Sequence, residues 1–420
     1  MAHSGATTMP SISAASATTT GNFSYELRAV GLLAAGFGLV GLDRWLIMPL
    51  APQIMHDLRL DYQDLGNLGA AIGLSWGVFA IIMGRLSDRV GRRKIIIPAV
   101  IAFSLLSGVS GLATGFAGLF IARLLMGVAE GAYCPTSYAA ALDASPASRR
   151  GINLGIIQGA FALGGLALGP IIATQLAAIL PSWRDVFMLV SIPGLILAFM
   201  LWRALRDPVN PGLAAHHEGA SPNWLALFAY RNICVAIPAI FCSMSGIFVL
   251  GVMAPVYLTD VVKLDSVTMG FVMSGFGLGG FLGQILLGIL SDRIGRKPSL
   301  FIAFIVGAAA LAALVLWVQA PSAIFAALFM AAFCCCGANA LLAGPISGEC
   351  VPSTMASSAM GLVIGLGEIF GGGVAPSIGG AIAMAGGLKL TLLTVDVVLV
   401  AGAAVTLFLR ETAPRIVARR

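Results

Sequence analysis

Twelve apolar runs of about twenty residues dominate this chain, and a run of that length is what a helix needs to cross about 30 Å of hydrocarbon. They lie near 27–50, 66–84, 95–115, 117–138, 151–178 and 185–203, then 231–258, 268–288, 299–319, 321–345, 357–385 and 388–409. Only 10% of the residues are charged, against roughly 25% in soluble proteins, and the mean hydropathy is +0.97. A soluble fold is excluded. The 52 glycines agree with membrane helices, whose close contacts are made by small residues. A β-barrel would show segments of about ten residues with alternating polarity, and the chain has none. The expectation is an all-α membrane protein with twelve transmembrane helices in two six-helix repeats.

The breaks between runs divide the chain. Residues 1–25 are Ser-, Thr- and Ala-rich and predict a disordered tail, without the basic start and apolar centre of a signal peptide. A first bundle covers 26–203, a linker 204–229, a second bundle 230–410 and a tail 411–420. The linker holds Pro208, Pro211, Pro222 and the pair His216 and His217 beside Glu218, a pattern that fits a solvated loop better than a metal site. Net charge is +6, which in a soluble protein would prompt a search for nucleic acid. Here the position of the charges explains it. Of the 24 Lys and Arg, four (Arg59, Arg184, Lys263, Lys389) fall on one side of the spans, Arg44 and Arg123 fall inside, and the rest lie on the opposite side. That asymmetry predicts a multi-pass protein of the cell (cytoplasmic) membrane with both termini in the cytoplasm and no nucleic-acid partner. The seven cysteines form no CxxC pair and sit mostly in apolar runs. Adjacent Cys334, Cys335 and Cys336 point in different directions on a helix with no His nearby, so they read as small buried hydrophobes, and neither a metal nor a cofactor is expected.

Against this background the ionisable residues inside spans stand out. Asp43 and Arg44 are neighbours in the first run, and each such side chain costs on the order of 3 kcal/mol to insert near a helix centre. They are either a self-neutralised, snorkelling pair or the lining of an aqueous cavity. In the fourth run Arg123 and Glu130 are seven residues apart, close to two helical turns, and share a face. Glu368 in the eleventh run precedes Gly371, Gly372 and Gly373; it faces the cavity or packs locally. Asp396 in the last run is placed to pair with Lys389 across two turns. Tyr257, Gln284 and Asn339 are polar groups in spans seven, eight and ten, suited to substrate hydroxyls or to interhelical hydrogen bonds.

The two halves repeat. Residues Gly84 to Lys94 (GRLSDRVGRRK) return at Gly288 to Pro298 (GILSDRIGRKP), 204 positions later. Near an offset of 206, Gly131 maps onto Gly337, Pro146 onto Pro352, Gly165 onto Gly371 and Pro170 onto Pro376. The first copy resembles the loop signature of the major facilitator superfamily between its second and third helices, G-x-x-x-D-R-x-G-R-R-K. With the second copy, the twelve spans and the central linker, the resemblance extends over nearly the whole chain. It implies a transporter and no enzyme, with two bundles rocking about a central site. It also implies gating roles for Gly84, Asp88, Arg89, Gly91, Arg92, Asp292 and Arg293, with Asp88 and Asp292 pairing with a cation on the neighbouring bundle. A purely topological role for this basic loop is compatible with that.

The pair Asp43–Arg44 with the R-x6-E of Arg123 and Glu130 is similar to the anion:cation symporter family, and spinster-type lipid transporters show a similar pattern. The resemblance implies that Arg44 and Arg123 meet an anionic substrate while Asp43 and Glu130 take up protons; where Glu368 faces the cavity it joins these acids in proton coupling. The residue chemistry agrees, since Arg is always charged and presents a fork of donors suited to a carboxylate. The expected function is proton-coupled symport of a small organic anion (a sugar acid, or a hydroxy or aromatic monocarboxylate) by a monomer in a lipid bilayer. No basic residue lies within a second-half span, which favours a monocarboxylate over a dicarboxylate. Two other readings stand beside it. One is a drug or metabolite efflux antiporter, suggested by the G-x-x-x-G-P of Gly165 to Pro170 but lacking the closing glycines. The other is a spinster-type lysolipid transporter, with Trp45, Phe161 and the aromatics around Phe241 as an apolar slot.

Overall fold

The computed structural model describes residues 23–146, 149–206, 224–317, 320–352, 355–413 and 416. The expectations on the N-terminal tail and on most of the linker, His216 and His217 included, concern residues outside that set. So do those on the side chains at positions 84, 88 and 89.

The described residues form helices and no strands. The first half contains α1 (Phe23–Leu58), α2 (Tyr62–Val90), α3 (Arg92–Ser110), α4 (Phe116–Ala144), α5 (150–179) and α6 (Trp183–Ala204). A single turn at Trp224–Leu227 leads into α7 (Arg231–Asp260), α8 (Ser266–Ile294), α9 (Arg296–Leu316), α10 (Pro321–Glu349), α11 (356–386) and α12 (388–406). Among the described residues, eleven helices are by length and composition able to cross a membrane, the last running 48 residues from Ala359 to Thr406. At 1.5 Å per residue that helix would be about 70 Å long, more than twice the hydrocarbon thickness. It is in fact two spans, broken where Gly387 adopts φ 81°, a conformation that costs glycine alone nothing. The twelve-span expectation therefore stands.

The helices overrun the apolar stretches because hydropathy marks the hydrocarbon and capping marks the helix end. α2 begins at a reciprocal cap, with the Asp61 carboxylate accepting from the Asp64 backbone N–H at 2.8 Å and the Asp64 carboxylate accepting from that of Asp61 at 3.3 Å. Ser182 and Asp185 do the same for α6. Asp265 caps α8, and the Thr268 hydroxyl together with the backbone N–H groups of Thr268 and Val267 holds its carboxyl below the usual carboxylate range.

The internal repeat extends into the fine structure. Gly91 and Gly295 turn the chain between α2 and α3 and between α8 and α9 at φ 100° and 108°. In the first half Arg92 donates to the Ser87 hydroxyl (2.9 Å) and pairs with Asp143 (3.4 Å). In the second, Arg296 donates to the Ser291 hydroxyl and pairs with Glu349 (2.9 Å), which is Asp143 moved by 206 positions. Asp292 is bound by Arg296 at 2.7 Å within its own half, rather than by a cation of the other bundle. Here the Arg296 guanidinium, one helical turn on, is the nearer partner. π-helical stretches recur at Ala162–Leu168 in α5 and Glu368–Val374 in α11, again at an offset of 206.

The halves meet through small residues. A Cβ added at Gly66 would lie 2.4 Å from the Pro376 carbonyl oxygen, one at Gly73 2.4 Å from that of Gly372, and one at Gly277 2.0 Å from the Ala167 backbone nitrogen. These pair α2 with α11 and α8 with α5. A branched side chain at Gly277 has no flexible neighbour to push aside. Gly277→Val is expected to destabilise the packed halves by about 1–3 kcal/mol, read as a lower Tm in detergent; an unchanged Tm would show that α8 does not rest on α5 in this way.

Candidate functional site

Midway along α1 the chain presents Asp43 and Arg44, and the helix sends them in different directions, since successive residues are about 100° apart. Asp43 Oδ1 accepts a hydrogen bond from the Ser107 hydroxyl of α3 at 2.8 Å. Arg44 points toward the second half, where Nη2 lies 3.2 Å from Glu368 Oε2 of α11, 324 positions away in sequence. The two neighbours therefore do not neutralise each other. Both are buried, which removes the snorkelling alternative as well.

Arg123 and Glu130 of α4 share the inward face as their spacing predicts, and both are 0% exposed. They make no ion pair with each other. Seven residues carry one about 10 Å along the axis from the other, too far for direct contact. Arg123 Nη1 instead donates to the backbone carbonyls of Asp43 (3.1 Å) and Arg44 (3.3 Å), tying α4 to the part of α1 that carries the first pair. Its Nε and Nη2 and both Glu130 carboxylate oxygens are buried with no protein partner. Buried polar groups of this kind are normally satisfied, so two of the five charged side chains near the centre of the protein, Arg123 and Glu130, leave donors and acceptors open for something that is not the protein.

Aromatic faces complete the surroundings of Arg44. Its guanidinium carbon sits 4.7 Å from the Phe248 ring centroid of α7 and 5.6 Å from that of Trp76 of α2, distances at which the ring quadrupoles attract the cation. Trp45 stacks on Phe248 at 5.7 Å, and the indole N–H groups of Trp45 and Trp76 are buried without partners. An apolar cleft between α1, α5, α7 and α8 continues from Trp45 along Met48, Pro170, Met273 and Phe276.

On one side of this level the halves are joined by hydrogen bonds, and on the other no hydrogen bond between them is found among the described residues. At the closed end the Tyr62 hydroxyl donates to Asp260 at 3.0 Å, and Gln63 Nε2 donates to the Ser377 carbonyl at 3.1 Å and to Asn67 at 3.0 Å. Toward the end where α1 begins and α12 finishes, Gly361 and Gly365 of α11 and Gly155 of α5 meet nothing within 4 Å of an added Cβ, and Ile81 and Ile82 of α2 are exposed.

The remaining sequence candidates divide. Tyr257 is buried in the core one turn from the closed end of α7, nine residues beyond Phe248, and is not at the level of Arg44. Gln284 is half-buried and makes no hydrogen bond among the described residues, while Asn339 keeps a buried Oδ1 without a partner. Asp396 does not pair with Lys389: the lysine is exposed and one aspartate oxygen is buried alone. Two turns put the two residues on one face, but the lysine stem is free to reach the polar edge of the bilayer. Sequence reasoning missed Ser107, Trp76 and Phe248, which carry no motif. It also missed the Gln63–Asn67 pair, whose i,i+4 spacing at the start of α2 was a readable sign.

The family model described as Major Facilitator Superfamily matches residues 33–265 and 236–419, nearly the whole chain. The chain belongs to the major facilitator superfamily. A probable 4-methylmuconolactone transporter of Cupriavidus pinatubonensis is 28% identical over 374 residues, covering 82% of this chain and 81% of that protein. The hexuronate transporter of Bacillus subtilis is 27% identical over 265 residues, 61% of this chain and 62% of that one. Among solved structures, a bacterial homologue of the human lysosomal transporter Spinster, inward-facing and occupied, superposes with a TM-score of 0.78 at 18% identity, over 91% of this chain and 96% of its own. That likeness establishes the fold. The protein is thus a membrane transporter of this superfamily and not an enzyme.

Proposed function

We propose that this transporter carries a small organic monocarboxylate together with a proton, by alternating access of the cavity around Arg44. The observation that carries the reading is the buried Arg44 guanidinium, held between the faces of Trp76 and Phe248 with a carboxylate already on its fork. A planar cation between two rings suits a carboxylate attached to a flat, unsaturated or aromatic body, because the body can stack where the head group pairs. The two relatives, a probable 4-methylmuconolactone transporter and a hexuronate transporter, support an organic-acid cargo.

Charge supports the coupling. Asp43, Arg44, Arg123, Glu130 and Glu368 sum to minus one, so an arriving carboxylate adds a second negative charge, and one proton returns the site to the charge of the empty carrier. A site with the same charge loaded as empty can close alike in both states, whereas one extra uncompensated charge is costly to bury. Arg44 and Arg123 are the proposed anion-binding residues, with Asn339 and Gln284 as reserve polar contacts; Asp43 and Glu130 are the proposed proton sites. In the cytoplasmic membrane with both termini inside the cell, the open end faces the cytoplasm and the conformation is inward-facing. Asp88, Arg89, Gly91, Arg92, Asp292 and Arg293 keep their proposed gating role at that end.

A thermal-shift screen of the purified protein tests the cargo. Aromatic and other unsaturated monocarboxylates should raise Tm, because a ligand that binds the native state stabilises it by mass action. A panel in which lysolipids or cationic drugs raise Tm and no organic acid does would overturn the assignment.

A further inference from the structure

Glu368 stands apart from the other buried acids. Asp43 is held by a hydroxyl and Glu130 by nothing, but Glu368 puts a carboxylate oxygen 3.2 Å from the guanidinium proposed above to receive the substrate's carboxylate. Among the described residues the other ion pairs stay within one half, from Arg92–Asp143 to Arg296–Glu349, whereas this one crosses between the halves. It is also well shielded, with Arg44 4% and Glu368 12% exposed. The acid starts the π-helical stretch of α11, where the backbone hydrogen bonds run from i to i+5 and the helix is widened. Directly behind it, Gly372 leaves room for the carboxylate, since a Cβ there would lie 2.9 Å from Glu368 Oε2 and 3.0 Å from the Phe248 ring.

We propose that Glu368 is a built-in competitor for the substrate: its carboxylate occupies the Arg44 anion subsite in the empty carrier and is exchanged for the carboxylate of the cargo. This rests on the reading of Arg44 as the anion anchor. It gives Glu368 a role different from that of a proton carrier, one that follows from charge. An empty carrier with nothing on Arg44 would bury an unpaired guanidinium between its halves each time it returned, and breaking a buried pair by removing one partner is severely costly. With Glu368 in place the empty carrier brings its own counter-anion. The acid enters the charge count of the empty and the loaded states equally, so the coupling of one proton to one carboxylate is unchanged. The substrate's apparent affinity is lowered by the fraction of time that Arg44 is free, as for any binder that must wait for a competent minor state.

The test is binding of benzoate to the detergent-solubilised full chain by isothermal titration calorimetry. Glu368→Gln keeps the shape and removes the competing charge, and it is expected to tighten benzoate binding about tenfold, the gain that follows if Arg44 is free about a tenth of the time. The gain should vanish in the double variant with Arg44→Ala. Should the Gln variant fail to fold, Glu368→Asp, one methylene short of the guanidinium, carries the same expectation. Unchanged or weaker binding in the Glu368 variants, with binding by the parent chain lost in Arg44→Ala, overturns the competitor role and leaves the anion anchor standing. Benzoate bound equally by the parent and Arg44→Ala removes the anchor itself. Binding by none of the chains overturns the proposal too, because an unmasked Arg44 would admit a small carboxylate at millimolar concentration.

Discussion

Arg44→Ala is expected to lower the affinity for an organic acid by about 10- to 100-fold, the loss that corresponds to a charge-assisted hydrogen bond of about 1.5–3 kcal/mol. The substitution removes both the guanidinium fork and the cation held between Trp76 and Phe248. It also strands Glu368 without its partner, so the fair comparison is Arg44→Ala combined with Glu368→Gln, which leaves no buried carboxylate facing an empty space. Arg44→Lys keeps the charge but presents it as a compact ammonium, and should recover little of the loss because the bidentate geometry and the flat stacking surface are gone. Equilibrium binding of the acids found by thermal shift measures both. If the lysine variant binds like the parent protein, point charge alone suffices and the fork argument is wrong. Arg123→Lys should be as damaging for a different reason: Arg123 Nη1 bridges the carbonyls of Asp43 and Arg44, and its loss frees the stretch of α1 that aims Arg44.

Asp43→Asn and Glu130→Gln are each expected to abolish accumulation driven by a pH gradient, leaving substrate at the concentration of the outside medium, while exchange of substrate across the membrane of preloaded liposomes continues. The two acids sit in unlike surroundings. Asp43 keeps one oxygen bonded to Ser107, and Glu130 has both oxygens free of protein partners and open to a proton. Because the neutral substitutes imitate the protonated forms, they preserve the states that carry substrate and remove only the release of the proton that makes the cycle one-way. Gradient-driven uptake at the parent rate in both variants would end the symport mechanism. A sodium requirement without pH dependence would transfer the coupling to a different ion.

Much of this architecture is legible in the linear chain because it is local or periodic. The apolar runs mark the spans, and the sevenfold spacing of Arg123 and Glu130 places them on one inward face, where the structure has them. The motif repeated after 204 positions anticipates two equivalent halves, and Gly91 and Gly295 turn the chain alike in both. Even Gly387, which splits a 48-residue helix into two spans, is visible as a glycine between apolar runs. These features depend on hydrophobic length, helical pitch and the conformational freedom of glycine, all of which a short window of sequence contains.

Partner choice is another matter. Adjacent residues Asp43 and Arg44 invite pairing with each other, and so do Asp396 and Lys389 seven apart; neither pair forms. Arg44 binds an acid 324 positions away, and Asp43 binds a serine of α3. A helix places neighbours about 100° apart, so the groups each one meets are decided by which helices the packing of both halves brings to that side. That packing is set by close backbone contacts such as Gly73 on Gly372 and Gly277 on Ala167, between segments that are remote in the chain. The sequence by itself determined the twelve spans, the twofold repeat and the presence of Asp43, Arg44, Arg123, Glu130 and Glu368 within spans. The tertiary structure alone decided that Arg44 holds Glu368 across the halves, because that contact exists only when two bundles, each folded through its own local rules, are laid against one another.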